Sequence, residues 1–172
     1  KIGLEMFERD NQLILNEYLQ GQITSDRFED EVRLWPNYST DYAPLISFAR
    51  ENHVPVIATN VPRRYATAVK EHSLAYLDSL SAEAKSYMAP LPIEYQENEN
   101  AEQGFAMMGM LGKNKHSNAR QIAEAQAIKD ATMAWSIANN LQEKFVHFNG
   151  NFHSDGRNGI IPYLLKYKPG VS

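Results

Sequence analysis

Cysteine is absent from the 172 residues, which removes disulfides, thiolate catalysis, zinc ribbons and iron–sulfur clusters together. It leaves the redox compartment open, because an exported protein need not use disulfides. No apolar run approaches the roughly 20 residues that span a bilayer, and no signal-peptide pattern is visible. Lysine and arginine form no dense cluster and the net charge is −4. A nucleic-acid groove needs cations enough to displace phosphate counterions, so nucleic acid is excluded as a partner. Also missing are the Gly-x-Ser-x-Gly elbow, the His-Glu-x-x-His pair and the Walker loop.

What is present fits one well-buried core: 43% of the residues are apolar, and the length is too short to promise two domains. We read residues 1–172 as a single α/β domain, a mostly parallel central sheet flanked by helices with a helical and loop insertion in the middle. Lys1 to Phe7 reads as a strand without a start signal, and Tyr163 to Gly170 as a helix tail and stop. The domain is therefore expected to be truncated at its N-terminus and also at its C-terminus.

Three apolar segments predict buried strands, Ile2 to Phe7, Val54 to Thr59 and Phe145 to Asn149. Helical patterns occupy Arg9 to Gln20, Ser25 to Val32 and Thr40 to Asn52, the last with Tyr42, Leu45, Ile46 and Ala49 on one face. Strand, helices and strand in that order follow parallel βαβ logic. A further helix starts after Thr59, with Asn60 as cap and Pro62 near the first turn. The longest pattern runs from Ser117 to Leu141 without glycine or proline. Between them, Tyr87 to Gly104 carries two prolines and an acidic, Asn-rich run from Glu94 to Glu102, and is expected to loop out.

Four constellations can carry chemistry. In Gly3-Leu4-Glu5-Met6-Phe7 a carboxylate sits in an apolar strand, where it either belongs to a polar site at the strand ends or is paired with Arg9 or Arg63. In Asn60-Val61-Pro62-Arg63-Arg64-Tyr65 two arginines at a helix start can hold a carboxylate, a propionate or a phosphate, or else form a solvated first turn. After the last strand, Asn149-Gly150-Asn151-Phe152-His153-Ser154-Asp155-Gly156-Arg157 places His153, Asp155 and Arg157 in a glycine-punctuated loop. On the long helix Gln126, Asp130 and Met133 fall on neighbouring faces, as part of a site or as a core helix whose aspartate ties an adjoining segment.

In order, Gly-Leu-Glu-Met-Phe, Asn-x-Pro-Arg, Glu-Ala-Gln-x-x-x-Asp-x-x-Met-Ala and Asn-Gly-x-x-His resemble the ChaN-like group of the haem-binding uptake, Tiki superfamily, from Gly3 to Tyr167. The resemblance implies an iron-regulated bacterial lipoprotein of the outer membrane, held there by a lipid anchor outside this chain. It further implies haem bound at an exposed surface through a tyrosine, a homodimer around stacked haems, and a haem-uptake receptor or transporter as partner. Carried over by motif, Glu5, Asn60, Arg63, Asp130 and His153 form the polar end of the sheet, with Arg157 beside them. The family's upstream Gly-Glu-x-His motif is not in the chain, which starts after it.

Ferric haem accepts a phenolate oxygen, and with no cysteine the axial ligand has to be tyrosine or histidine. Tyr87 and Tyr95 flank the proline-rich segment and Tyr65 adjoins Arg63 and Arg64, which makes these three the candidate ligands in that order. Met107, Met108 and Met110 can pad a porphyrin face. Two other readings stay open: a hydrolase of the wider superfamily, using Glu5 and His153 as base or metal ligand, and an interaction domain whose polar residues only stabilise the strand ends.

Overall fold

In the computed structural model of the chain, residues 1–95 and 119–171 are described. Met107, Met108, Met110, Ser117 and all of the expected loop beyond Tyr95 lie outside them.

The run Ile-Gly-Leu-Glu-Met-Phe is apolar on both faces, the mark of a central parallel strand. It forms β1 (Ile2–Glu8), flanked by β2 (Val56–Asn60) and β3 (Val146–Phe148) in the order β2-β1-β3, both parallel to it. Ile2 pairs with Val56 and Val146, and Leu4 with Ala58 and Phe148. The α/β class with a parallel sheet is therefore as expected. β2 starts at Val56 and not at Val54, because Pro55 has no N–H to give the ladder; its carbonyl instead accepts from the Ile2 N–H at 3.0 Å. β3 ends at Phe148, where the Asn149 side chain turns to His147 and to the Gly150 carbonyl.

Side chains alternate across a strand, so the two faces of the sheet differ. One carries Ile2, Leu4, Met6, Val56 and Ala58, and packs on α1 (Gln12–Leu19), α2 (Ser25–Glu31) and α3 (Ala43–Glu51), where Leu15, Phe28 and Ile46 are fully buried. The other carries Gly3, Glu5 and Thr59, and is covered by α6 (Ala119–Asn140), whose Ser136 hydroxyl bonds the Thr59 carbonyl at 3.2 Å. α6 itself packs against α4 (Arg63–His72) and α7 (Ile160–Tyr167). A short α5 (Ala82–Ser86) begins at Ser81, whose hydroxyl accepts from the Ala84 N–H.

Three helix boundaries move for local reasons. The chain leaves β1 through a 3-10 turn, Arg9–Asn11, so α1 starts at Gln12. Pro44 cannot donate to the Thr40 carbonyl, and a π-helical turn, Tyr38–Tyr42, takes the place of the first α turn before α3. Asn60 does not cap α4: it ends β2, and Pro62 stands at the cap position with no side-chain hydrogen bond.

The Gln12 side chain supplies what β2 lacks on its outer edge. Its amide donates to the Val56 carbonyl at 2.9 Å and accepts from the Ala58 N–H at 2.7 Å, as a paired strand residue would.

Candidate functional site

Glu5 lies on the polar face of β1 and is only 6% exposed. A carboxylate so buried is costly unless its oxygens are satisfied. Oε2 accepts from the Gly150 N–H at 2.7 Å, and Oε1 lies 3.2 Å from His153 Nε2. The other ring nitrogen of His153 is 2.5 Å from Asp130 Oδ1, so one imidazole bridges strand β1, helix α6 and the loop after β3. Asn60 joins by donating its amide to the Glu5 carbonyl at 3.0 Å. Neither Arg9 nor Arg63 pairs with Glu5: Arg9 donates to Ser136 Oγ at 2.8 Å and to the Ser86 carbonyl, and the Arg63 N–H donates to Glu8.

Burial alone would strip the proton from His153, but hydrogen bonds and charge from Asp130 and Glu5 outweigh it and raise the imidazole to about 9. Burial likewise works against ionised Glu5, and the His153 hydrogen bond and charge overcome it, holding the carboxyl below its ordinary value. Burial pushes Asp130 up against the pull of His153. The cluster is best described as an imidazolium between two carboxylates, with Lys129 as a further neighbouring charge. An imidazolium whose two N–H groups both point at carboxylates has no free lone pair, so as it stands it holds the elements together and does not take up a proton.

Gly159 fixes where His153 sits. Its φ is +62°, and a Cβ there would lie 2.4 Å from the His153 carbonyl oxygen. Gly3 plays the matching part on the sheet: a Cβ would meet the Phe145 ring at 2.4 Å.

In front of the strand ends lies a cleft of about 1050 Å³, lined by Glu5, Asn60 and Arg63, by Lys70 and Lys129, and by an apolar side that includes Leu34, Trp35 and Val61. A crevice outside the carboxyl ends of parallel strands is where open α/β sheets bind ligands. Among the described residues its lining holds no tyrosine, histidine or methionine, the side chains that with cysteine ligate haem iron.

Residues 1–164 match the family described as haem-binding uptake, Tiki superfamily, ChaN. The chain belongs to that family. A solved structure of a family protein, described as cofacial heme binding to ChaN of Campylobacter jejuni, shares the fold at a TM-score of 0.63 and 16% identity, over 96% of this chain and 62% of that one. Protein RETICULATA-RELATED 5, chloroplastic, of Arabidopsis thaliana is 30% identical over 90 residues, covering 52% of this chain and 12% of its own length. The chain thus spans less than two thirds of either relative.

Against the family reading, the structure brings Glu5, Asn60, Asp130 and His153 into one cluster and places Arg63 on the cleft beside it. Arg157 stands apart: it is exposed, at a φ of +61°, and its side chain makes no hydrogen bond or ion pair among the described residues. The candidate iron ligands differ in setting. Tyr87 is half-buried just past α5, and Tyr95 packs against the α4–α6 core. Tyr65 is half-buried on α4, where the Arg64 guanidinium lies 4.6 Å above its ring and donates to its hydroxyl at 3.3 Å. Arg64 is anchored in turn by Asp10 at 2.5 Å.

Lys129, Lys70 and Trp35 were not singled out from the sequence. A helical stripe on α6 at Ile122, Ala125, Gln126 and Lys129 is the signal that could have found the first.

Proposed function

We propose that the chain binds ferric haem at its surface for bacterial haem or iron uptake, with the Tyr65 hydroxyl as the axial ligand. The family match over residues 1–164 carries the haem reading. The choice of Tyr65 rests on Arg64: a guanidinium hydrogen-bonded to the phenolic oxygen offsets the negative charge that a phenolate brings to the iron. Haem supplies a ferric centre that takes an oxygen ligand. Arg63 and Arg64, both exposed on the first turn of α4, stand ready for the propionates.

On the same reading two copies face each other across stacked haems, in line with the cofacial binding named for the Campylobacter jejuni protein. The protein then works at the cell envelope as an outer-membrane lipoprotein that exchanges haem with an uptake receptor or transporter.

A haemin titration followed by absorbance tests this, with Tyr65, Tyr87 and Tyr95 each changed to Phe. The expected result is a saturable spectrum of tyrosinate-bound ferric haem, lost in Tyr65→Phe and kept in the other two. Loss in Tyr87→Phe or Tyr95→Phe alone moves the ligand to that residue. Absence of any saturable spectrum overturns haem binding.

A further inference from the structure

The haem reading uses the lining of the cleft at Arg63 alone. Its walls are two helical stripes and a loop. On α4 Arg63, Ala66 and Lys70 face inward, and on α6 Ala125 and Lys129 do. Alanine in the middle of each stripe is what keeps the space open, and its volume of about 1050 Å³ is that of a small-molecule site. Leu34 and Trp35 on the loop after α2, with Val61 behind them, give it one apolar side.

Its electrostatics call for an anion. Glu5 is already matched by His153, and one Glu8 oxygen accepts from the Arg63 N–H. The side chains of Arg33, Arg63 and Lys70 have no ion-pair partner among the described residues, and with Lys129 they outnumber the lining carboxylates Glu5, Glu8 and Glu71. Lys129 is half-buried and donates only a long bond, 3.4 Å, to Gln126. Asn60 also lines the cleft, but its Nδ2 is committed to the Glu5 carbonyl and its Oδ1 is buried, so it offers a ligand no exposed group.

We propose that this cleft is a second ligand site, distinct from the haem surface, for an organic anion with a flat apolar body. Its carboxylate engages Lys70 and Lys129, and its body lies against Leu34 and Trp35.

The chain has two tryptophans, so Trp135→Phe leaves Trp35 as a reporter inside the site. In that background, 2-naphthoate is titrated against Trp35 fluorescence. Saturable quenching is expected, weakened at least tenfold in Lys70→Gln and in Lys129→Met, weakened as much when the neutral 2-naphthamide replaces the acid, and unchanged in Tyr65→Phe. Both lysine variants should keep the parent far-UV circular dichroism. No saturable quenching by 2-naphthoate, or equal affinity for acid and amide, or full affinity in both folded lysine variants, overturns the proposal. Because Tyr65→Phe separates the two sites, failure here leaves the haem titration to stand or fall alone.

Discussion

His153 Nε2 lies 3.2 Å from Glu5 Oε1, which ties a loop beyond the last strand to the middle of the first. The attachment depends on a proton. His153 is raised from 6.5 to about 9 by Asp130 and Glu5 against the cost of its burial. A group raised on folding contributes stability that is complete below its unfolded value and disappears as pH climbs through the folded one. Stability should therefore fall between about pH 6.5 and 9 by up to roughly 3 kcal/mol, read from urea midpoints across that range. His153→Gln should flatten the slope; an unchanged slope would mean that the imidazole is not the titrating group.

Glu5→Gln keeps the shape but removes the charge. Losing one partner of a buried ion pair costs on the order of 3 kcal/mol, and the His153 imidazole should titrate at lower pH, which NMR of its ring protons reads directly. Because Glu5 is held below its ordinary value, the wild type should also lose stability as pH falls below the ordinary carboxylate range, and the variant should lose less there.

Gly159 combines a positive φ with a 2.4 Å approach to the His153 backbone. Gly159→Ala should cost roughly 2–4 kcal/mol, more than a usual surface change. Thermal melts measure the loss, and the His153 ring resonances should shift with it, since the helix start presses on the backbone that carries the imidazole.

Arg64→Gln should weaken haemin binding by about tenfold, on the order of one charge-assisted hydrogen bond. Arg157→Gln, at an exposed side chain that bonds nothing among the described residues, should leave it unchanged. Parallel titrations compare the two, and equal loss in both would count against Arg64 as a specific support.

Much of the fold was legible where the pattern was long and unbroken. The β1 run and the α6 pattern predicted both elements nearly end to end, because burial on both faces leaves a continuous signature. Two of the boundaries that moved did so at single residues, Pro55 at the start of β2 and Pro44 at the start of α3, where a missing N–H outranks hydrophobic spacing. The polar cluster was readable as four ordered motifs, yet the partner of Glu5 was not, since both arginines considered for it were closer in sequence than His153. The lysines of the cleft carried no motif at all. Only the packing of α4 against α6 brings Lys70 and Lys129 to the same space.

Gln12 leaves the sheet with one finished side. Its amide occupies the outward-facing hydrogen-bonding groups of Val56 and Ala58, while β3, with Val146 and Phe148 55% and 40% exposed, has no such cover among the described residues. An unpaired edge is a template for another strand. Among the described residues, then, the groups a further strand would pair with stay open beside Val146–Phe148, while at Val56 and Ala58 Gln12 already holds them.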